Sequence, residues 1–199
     1  MKSNVCKIEN GTKDLESILK ESERVAQYNG LTHKQTLQLR LLCEEIDGML
    51  PNIIDDFEGD LWIDFEDGVC KVNIDIKIPE INADKREDLI GISKSKKNAA
   101  AKGIVGKIRD AIENFLLSEE AIGAFEVTPG TFYFTNGICE GVDFPYLWTL
   151  NQYRGEVTQE EQPENWDELE KSVIASVADD VIVGIKGRQA KIVIVKKFA

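Results

Sequence analysis

The sequence predicts an α+β fold, a two-layer sandwich in which helices pack on a mostly antiparallel, mixed sheet. Three observations lead there. Residues 12 to 50 carry apolar side chains at helical spacing. Residues 61 to 78 alternate as a strand pair around Asp67-Gly68. The chain closes with two β-branched runs around Lys186-Gly187-Arg188. Helices come first and hairpins later, without a strict βαβ alternation, so the sheet is expected to be largely antiparallel.

The elements follow in order. A first helix is expected over 12–29, with Leu15, Ile18, Leu19, Val25 and Ala26 on one side and Lys, Glu and Arg on the other. Gly30 ends it, and Thr32 with Gln35 forms a capping box that starts a second helix. In that helix Leu37, Leu41, Leu42, Ile46, Met49 and Leu50 are expected to face the core. Asn52 lies past Pro51, on another turn or outside the helix. Leu61–Phe65 and Val69–Ile78 then read as a hairpin, and Cys70, Val72, Ile74, Ile76 and Ile78 alternate with polar residues. Pro79 stops the second strand, and Asp84–Gly91 reads as a polar connection or short helix.

A third helix is expected from Ala99 or Gly103 to Leu117, with Ile104, Ile108, Ala111, Ile112 and Phe115 inward. Between about 126 and 165 glycine, proline and aromatic residues replace any clean period, which reads as an insertion of short strands and loops within a single 1–199 domain. Asn165 and Glu168 offer a second capping box ahead of Leu169, Val173, Ile174 and Val177. Val181–Ile185 and Lys191–Phe198 form the final hairpin, with Asp179 and Asp180 capping the junction before it.

Composition narrows the function. With 24 basic and 36 acidic residues the formal charge is −12, which argues against a nucleic-acid or anionic-membrane partner. Cys6, Cys43, Cys70 and Cys139 are scattered and read as reduced core thiols rather than a metal site. His33 is the only histidine, so no histidine cluster can hold a metal, and no Ser-His-Asp or Cys-His constellation stands out. No spanning apolar run or signal segment is evident, so the cytoplasm is the expected compartment.

Two groups of residues are candidates for chemistry. Glu44 and Glu45 stand beside the apolar stripe of the second helix, and Glu45, three residues after Leu42 and four before Met49, is placed to act as a partly desolvated base. Their bland alternative is an ordinary helix surface, with Glu44 paired to Arg40 one turn earlier. Ser93–Arg109 concentrates Lys94, Lys96, Lys97, Lys102, Lys107 and Arg109 without one acid, and Gly103 and Gly106 lie near a helix start, where free amides and the helix dipole favour phosphate. A solvated basic loop leading into a packed helix is the alternative there.

The segment Gly30–Leu50, with the helix before it, resembles the ATP-binding domain of the GHKL superfamily, in the branch of bacterial anti-sigma-factor serine kinases and histidine-kinase-like ATPases. Leu39, Leu41, Glu44 and Glu45 match its Leu-x-Leu-x-x-Glu-Glu helix after a Gly-Leu-Thr turn. The resemblance implies ATP as ligand and a regulatory protein partner. It makes Glu45 the catalytic residue and Glu44, Asn98, Lys102, Gly103, Gly106 and Lys107 the nucleotide contacts, with KGIVGK as a shortened second glycine box. The chain departs from the pattern at the magnesium-binding Asn, where Met49 stands, and lacks the Asp-x-Gly-x-Gly motif, Asp75 and Asp84 being the nearest acids. ATP binding with weakened or lost serine-kinase or ATPase activity is therefore the expectation, with no magnesium ligand. The alternative is a non-catalytic protein-interaction module on the same scaffold, binding through the aromatic stretch.

Overall fold

The computed structural model describes residues 1–10, 15–54, 56–77, 103–118, 146–156, 172–186 and 188–198. The elements are β1 (Cys6–Glu9), α1 (Leu15–Tyr28), α2 (His33–Ile53), β2 (Glu58–Glu66), β3 (Val69–Lys77), α3 (Gly103–Ser118), β4 (Tyr146–Thr149), α4 (Leu150–Glu156), α5 (Val173–Val177), β5 (Asp180–Lys186) and β6 (Gln189–Lys197). The six strands form one sheet in the order β1-β2-β3-β6-β5-β4, and every described pair is antiparallel. The α+β sandwich is thus present, with an antiparallel rather than mixed sheet among the described strands.

Alternation sets the two faces of the sheet. Leu61, Ile63 and Phe65 of β2, Val72, Ile74 and Ile76 of β3, Val181, Val183 and Ile185 of β5, and Ile192 and Ile194 of β6 all point inward. They share a single core with Ile18 and Val25 of α1, Leu42 and Ile46 of α2, Ile104 and Ile108 of α3, Leu150 and Tyr153 of α4, and Ile174 of α5. All five described helices therefore pack on one face. On the other, Ile182, Val193 and Val195 form a small second cluster with Val69, beside a polar group centred on Trp62. The Trp62 indole N–H donates to Asp64 at 2.9 Å, Asn73 donates to the same carboxylate at 3.0 Å, and the ammoniums of Lys2 and Lys191 lie 4.8 and 5.7 Å from the indole ring centroid.

The β2–β3 hairpin turns where expected. Asp67 and Gly68 both have positive φ, 50° and 77°, the pair of left-handed residues that a two-residue turn needs to follow the strand twist. Gly68 also accepts from the Phe198 amide at 2.7 Å, and a Cβ there would sit 2.9 Å from the Phe198 carbonyl. Two features escaped the sequence reading. β1, with only Cys6 and Ile8 turned inward, pairs with β2 at the sheet edge, and the chain before it continues along β2 after a shift of one residue in register. Residues 146–156, inside the stretch read as an insertion, form edge strand β4 and helix α4.

The buried face of α2 differs from expectation. Leu37 and Leu41 are 51% and 37% exposed, whereas Leu39, Leu42, Cys43, Ile46, Met49, Leu50 and Ile53 are buried. The helix also runs through Pro51 to Ile53, so Asn52 lies within its last turn, where its amide donates to the Gly48 carbonyl at 2.8 Å. The Asn165–Glu168 capping box, the Asp84–Gly91 connection and the basic residues from Lys94 to Lys102 lie outside the described residues. In α5 the described N-cap is Ser172. Among the described residues no helix is long and apolar enough to cross a membrane.

Candidate functional site

The site is built around α2, whose start the sequence specifies closely. Thr32 accepts from the Gln35 amide while Gln35 Oε1 accepts from the Thr32 amide at 2.8 Å, so both halves of the capping box are made. Gly30, with φ 64°, ends the preceding helix. From this fixed origin each residue turns about 100° around the axis. With Leu42, Ile46 and Leu50 toward the sheet, Glu44 and Glu45 fall on opposite flanks.

Helix α1 packs along the first flank. The Arg40 guanidinium donates to Glu44 at 3.0 Å and to Glu23 of α1 at 2.7 Å, so Glu44 belongs to a chain of ion pairs that joins the two helices. This is the pairing expected of a helix surface, extended to a neighbour. Arg40 is correspondingly held above its ordinary pKa by Glu44 first and Glu23 second. Further along α1, Glu21 accepts from both the backbone amide and the side chain of Asn4, at 3.0 and 2.9 Å, and so ties α1 to the irregular strand ahead of β1.

The second flank carries Glu45, Met49 and Asn52 and is the side on which α3 packs. Arg109 of α3 approaches the Asn52 carbonyl at 3.5 Å, which sets the middle of α3 against the last turn of α2. Beneath, Ile46 and Leu50 share the core with Ile104, Ile108 and Ile112. Met49, where the resemblance would require a metal-binding Asn, is 3% exposed and packed in that core. A thioether there offers no ligand to magnesium, which takes oxygen.

The glycines and the lysine open α3. Gly103 is its first residue, Gly106 is buried, and Lys107 projects to the flank opposite Arg109, its ammonium 5.6 Å from the ring centroid of Tyr153 on α4. Burial, with Glu156 nearby, raises the Tyr153 phenol above its ordinary pKa. The structure therefore brings Glu45, Gly103, Gly106 and Lys107 onto two helices in contact, and it directs Glu44 toward α1. Asn98 and Lys102 lie outside the described residues. Asp75 sits on the polar sheet face, paired across the strands with Asp60 on one side and Lys191 on the other.

Asp179 and Asp180 do cap a junction, though not only their own. Asp180 accepts from the Val181 amide at 2.9 Å and from the Asn151 amide, at the start of α4, at 3.1 Å. Asp179 accepts from the Lys197 amide at 2.6 Å and pairs with the Lys196 ammonium at 3.3 Å. Arg154 of α4, which the sequence reading passed over, completes the corner by donating to the carbonyls of Ala175, Ala178 and Asp179. Its signal was the lone arginine after an aromatic run, uninformative without the fold. Cys6, Cys43 and Cys70 are buried and in no disulfide, as the sequence suggested, and Cys139 lies outside the described residues. Burial pushes the Cys70 thiol up to about 12 and the Cys43 thiol higher still, so neither is an activated nucleophile.

Comparisons with protein-family models, with curated proteins and with solved structures found no match for the chain.

Proposed function

We propose that this chain is an ATP-binding regulatory protein of GHKL type with weakened or lost catalysis, its nucleotide held between the Glu45 flank of α2 and the glycine-led start of α3. The observation that carries this reading is the separation of the two adjacent carboxylates: Glu44 is committed to Arg40 on the α1 side, while Glu45, on the other flank, has no ion pair among the described residues. The order of elements supports it too. A helix, a Gly-Leu-Thr turn, the Glu-Glu helix and a hairpin precede the glycine-led helix, the sequence of parts that the resemblance implies. Glu45 would polarise a water or hydroxyl, and the Gly103–Gly106 amides with Lys102 would hold phosphate, whereas Lys107 lies over Tyr153 on the α4 side and would act only through its charge.

Met49 limits the chemistry. Without a fixed magnesium, charge on a transferring phosphoryl group would rest on lysines alone, so binding and regulation of a protein factor fit better than rapid phosphoryl transfer. On this reading the protein works in the cytoplasm, with neither nucleic acid nor membrane as partner, in keeping with its charge of −12.

Thermal unfolding with ATP tests the reading. For a dissociation constant of about 0.1 mM, ATP at about 1 mM raises Tm by about 3–5 °C. The rise is expected with or without magnesium. Gly103→Asp should remove it, because the new carboxylate suits a helix N-terminus but repels phosphate. The buried Met49 also favours a second reading, a non-catalytic interaction module that has lost the nucleotide. That reading wins if Tm does not move with ATP under either condition.

A further inference from the structure

The chain ahead of β1 does not continue its pattern. Cys6 and Ile8 are buried with Lys7 exposed between them, and Ser3 is buried too, yet two exposed residues, Asn4 and Val5, separate it from Cys6. Strict alternation allows one. The extra residue is that of a bulge, and it accounts for the pairing of Lys2 with Asp64, one residue out of register with Cys6–Leu61. Residues 1–5 therefore lie on the β2 edge as a separate unit. Ser3 is the one buried residue of the five, and it is polar. Its hydroxyl accepts from the Ile63 amide at 2.8 Å, its own amide donates to the Ile63 carbonyl at 2.8 Å, and Met1 exchanges both backbone bonds with Phe65. Met1 also rests partly buried against the core. From outside, Glu21 of α1 accepts from the amide and the side chain of Asn4, and the Lys2 ammonium lies over the Trp62 ring. By contrast, β1 is anchored in the core by the side chains of Cys6 and Ile8.

We propose that residues 1–5 are a strap that lifts from the β2 edge as a unit, with Val5 as its hinge, while β1 stays in place. Opening breaks the Glu21 contacts, frees the amides of Ile63 and Phe65, and takes the Lys2 ammonium off the indole. The closed strap thus keeps this part of β2 from pairing with any other extended segment. Opening costs far less than unfolding, because a sheet edge that buries little apolar surface is among the first parts of a fold to separate.

Amide hydrogen exchange on the full chain tests this, because Ile63 and Phe65 face the strap while Leu61, on the same strand, faces β1. Ile63 and Phe65 should exchange about a hundredfold faster than Leu61 or more, and their rates should stay flat in low urea. Leu61 should accelerate with urea, since its exposure needs the core to open. Ile46→Ala weakens the core in the open and closed forms alike, so it should speed Leu61 by about thirtyfold or more and leave Ile63 and Phe65 unchanged. Asn4→Ala removes a bond present only in the closed form and should speed Ile63 and Phe65 by about fivefold. A common rate for the three amides in the parent, or equal acceleration of all three by Ile46→Ala, would overturn the proposal. So would an Asn4→Ala variant in which Ile63 and Phe65 exchange as before.

Discussion

The two flanks of α2 are built differently. On the α1 side, Glu23, Arg40 and Glu44 form a connected set of ion pairs, and Glu21 holds the chain ahead of β1 through two hydrogen bonds. On the α3 side, apolar packing below is topped by a long contact from Arg109 to the Asn52 carbonyl, and Glu45 has no ion pair among the described residues. One flank holds helices together through charge, whereas the other packs against α3 chiefly through apolar side chains. Adjacent identical residues thus acquire different roles through the neighbours that α2 meets.

The largest test of this contrast removes what both flanks share. Ile46→Ala, in the fully buried stripe, should cost about 2–5 kcal/mol in urea unfolding, because the cavity would lie beneath both helix contacts. Thr32→Ala should cost about 1 kcal/mol by removing the cap that sets the phase of the whole helix. The flanks themselves should separate function from stability. Glu45→Gln should leave Tm within about 1 °C of the parent while reducing the ATP-induced rise. Arg40→Ala should do the reverse, lowering Tm slightly, less so at high salt, and leaving the ATP response intact.

The smallest effect is in acid. Partial burial pushes the Glu21 carboxyl up, but the Asn4 amides, with Arg24 beside it, outweigh this and hold it below its ordinary 4.5. A depressed folded value means that its contribution is complete above about pH 4.5 and is lost as pH falls through the lower folded value. Glu21→Gln should therefore flatten that part of the acid limb in a stability-versus-pH series.

Much of the scaffold was legible because local chemistry agreed with tertiary structure. Thr32 and Gln35 specify a helix start by themselves, and Asp67-Gly68 specifies a hairpin. The phase of α2 was harder to read. The run Leu37, Leu39, Leu41, Leu42 and Cys43 supplies apolar side chains all round the helix, so only Ile46, Met49, Leu50 and Ile53 decide which ones enter the core. β1 is four residues long and carries too little pattern, and β4 owes its existence to pairing with β5 rather than to its own sequence. Of the candidate site, residue types could be read but directions could not. The spacing already offered Glu44 to Arg40, but which neighbouring helix each flank meets is decided only when α1 and α3 are placed.

Amide chemical shifts followed during an ATP titration of the full chain test the nucleotide claim most directly. The account expects the largest changes at Glu45 to Ile53 of α2 and Gly103 to Lys107 of α3, with α1 and the Trp62 face of the sheet still. Unmoved spectra at millimolar ATP, or shifts concentrated away from those two helices, would contradict it.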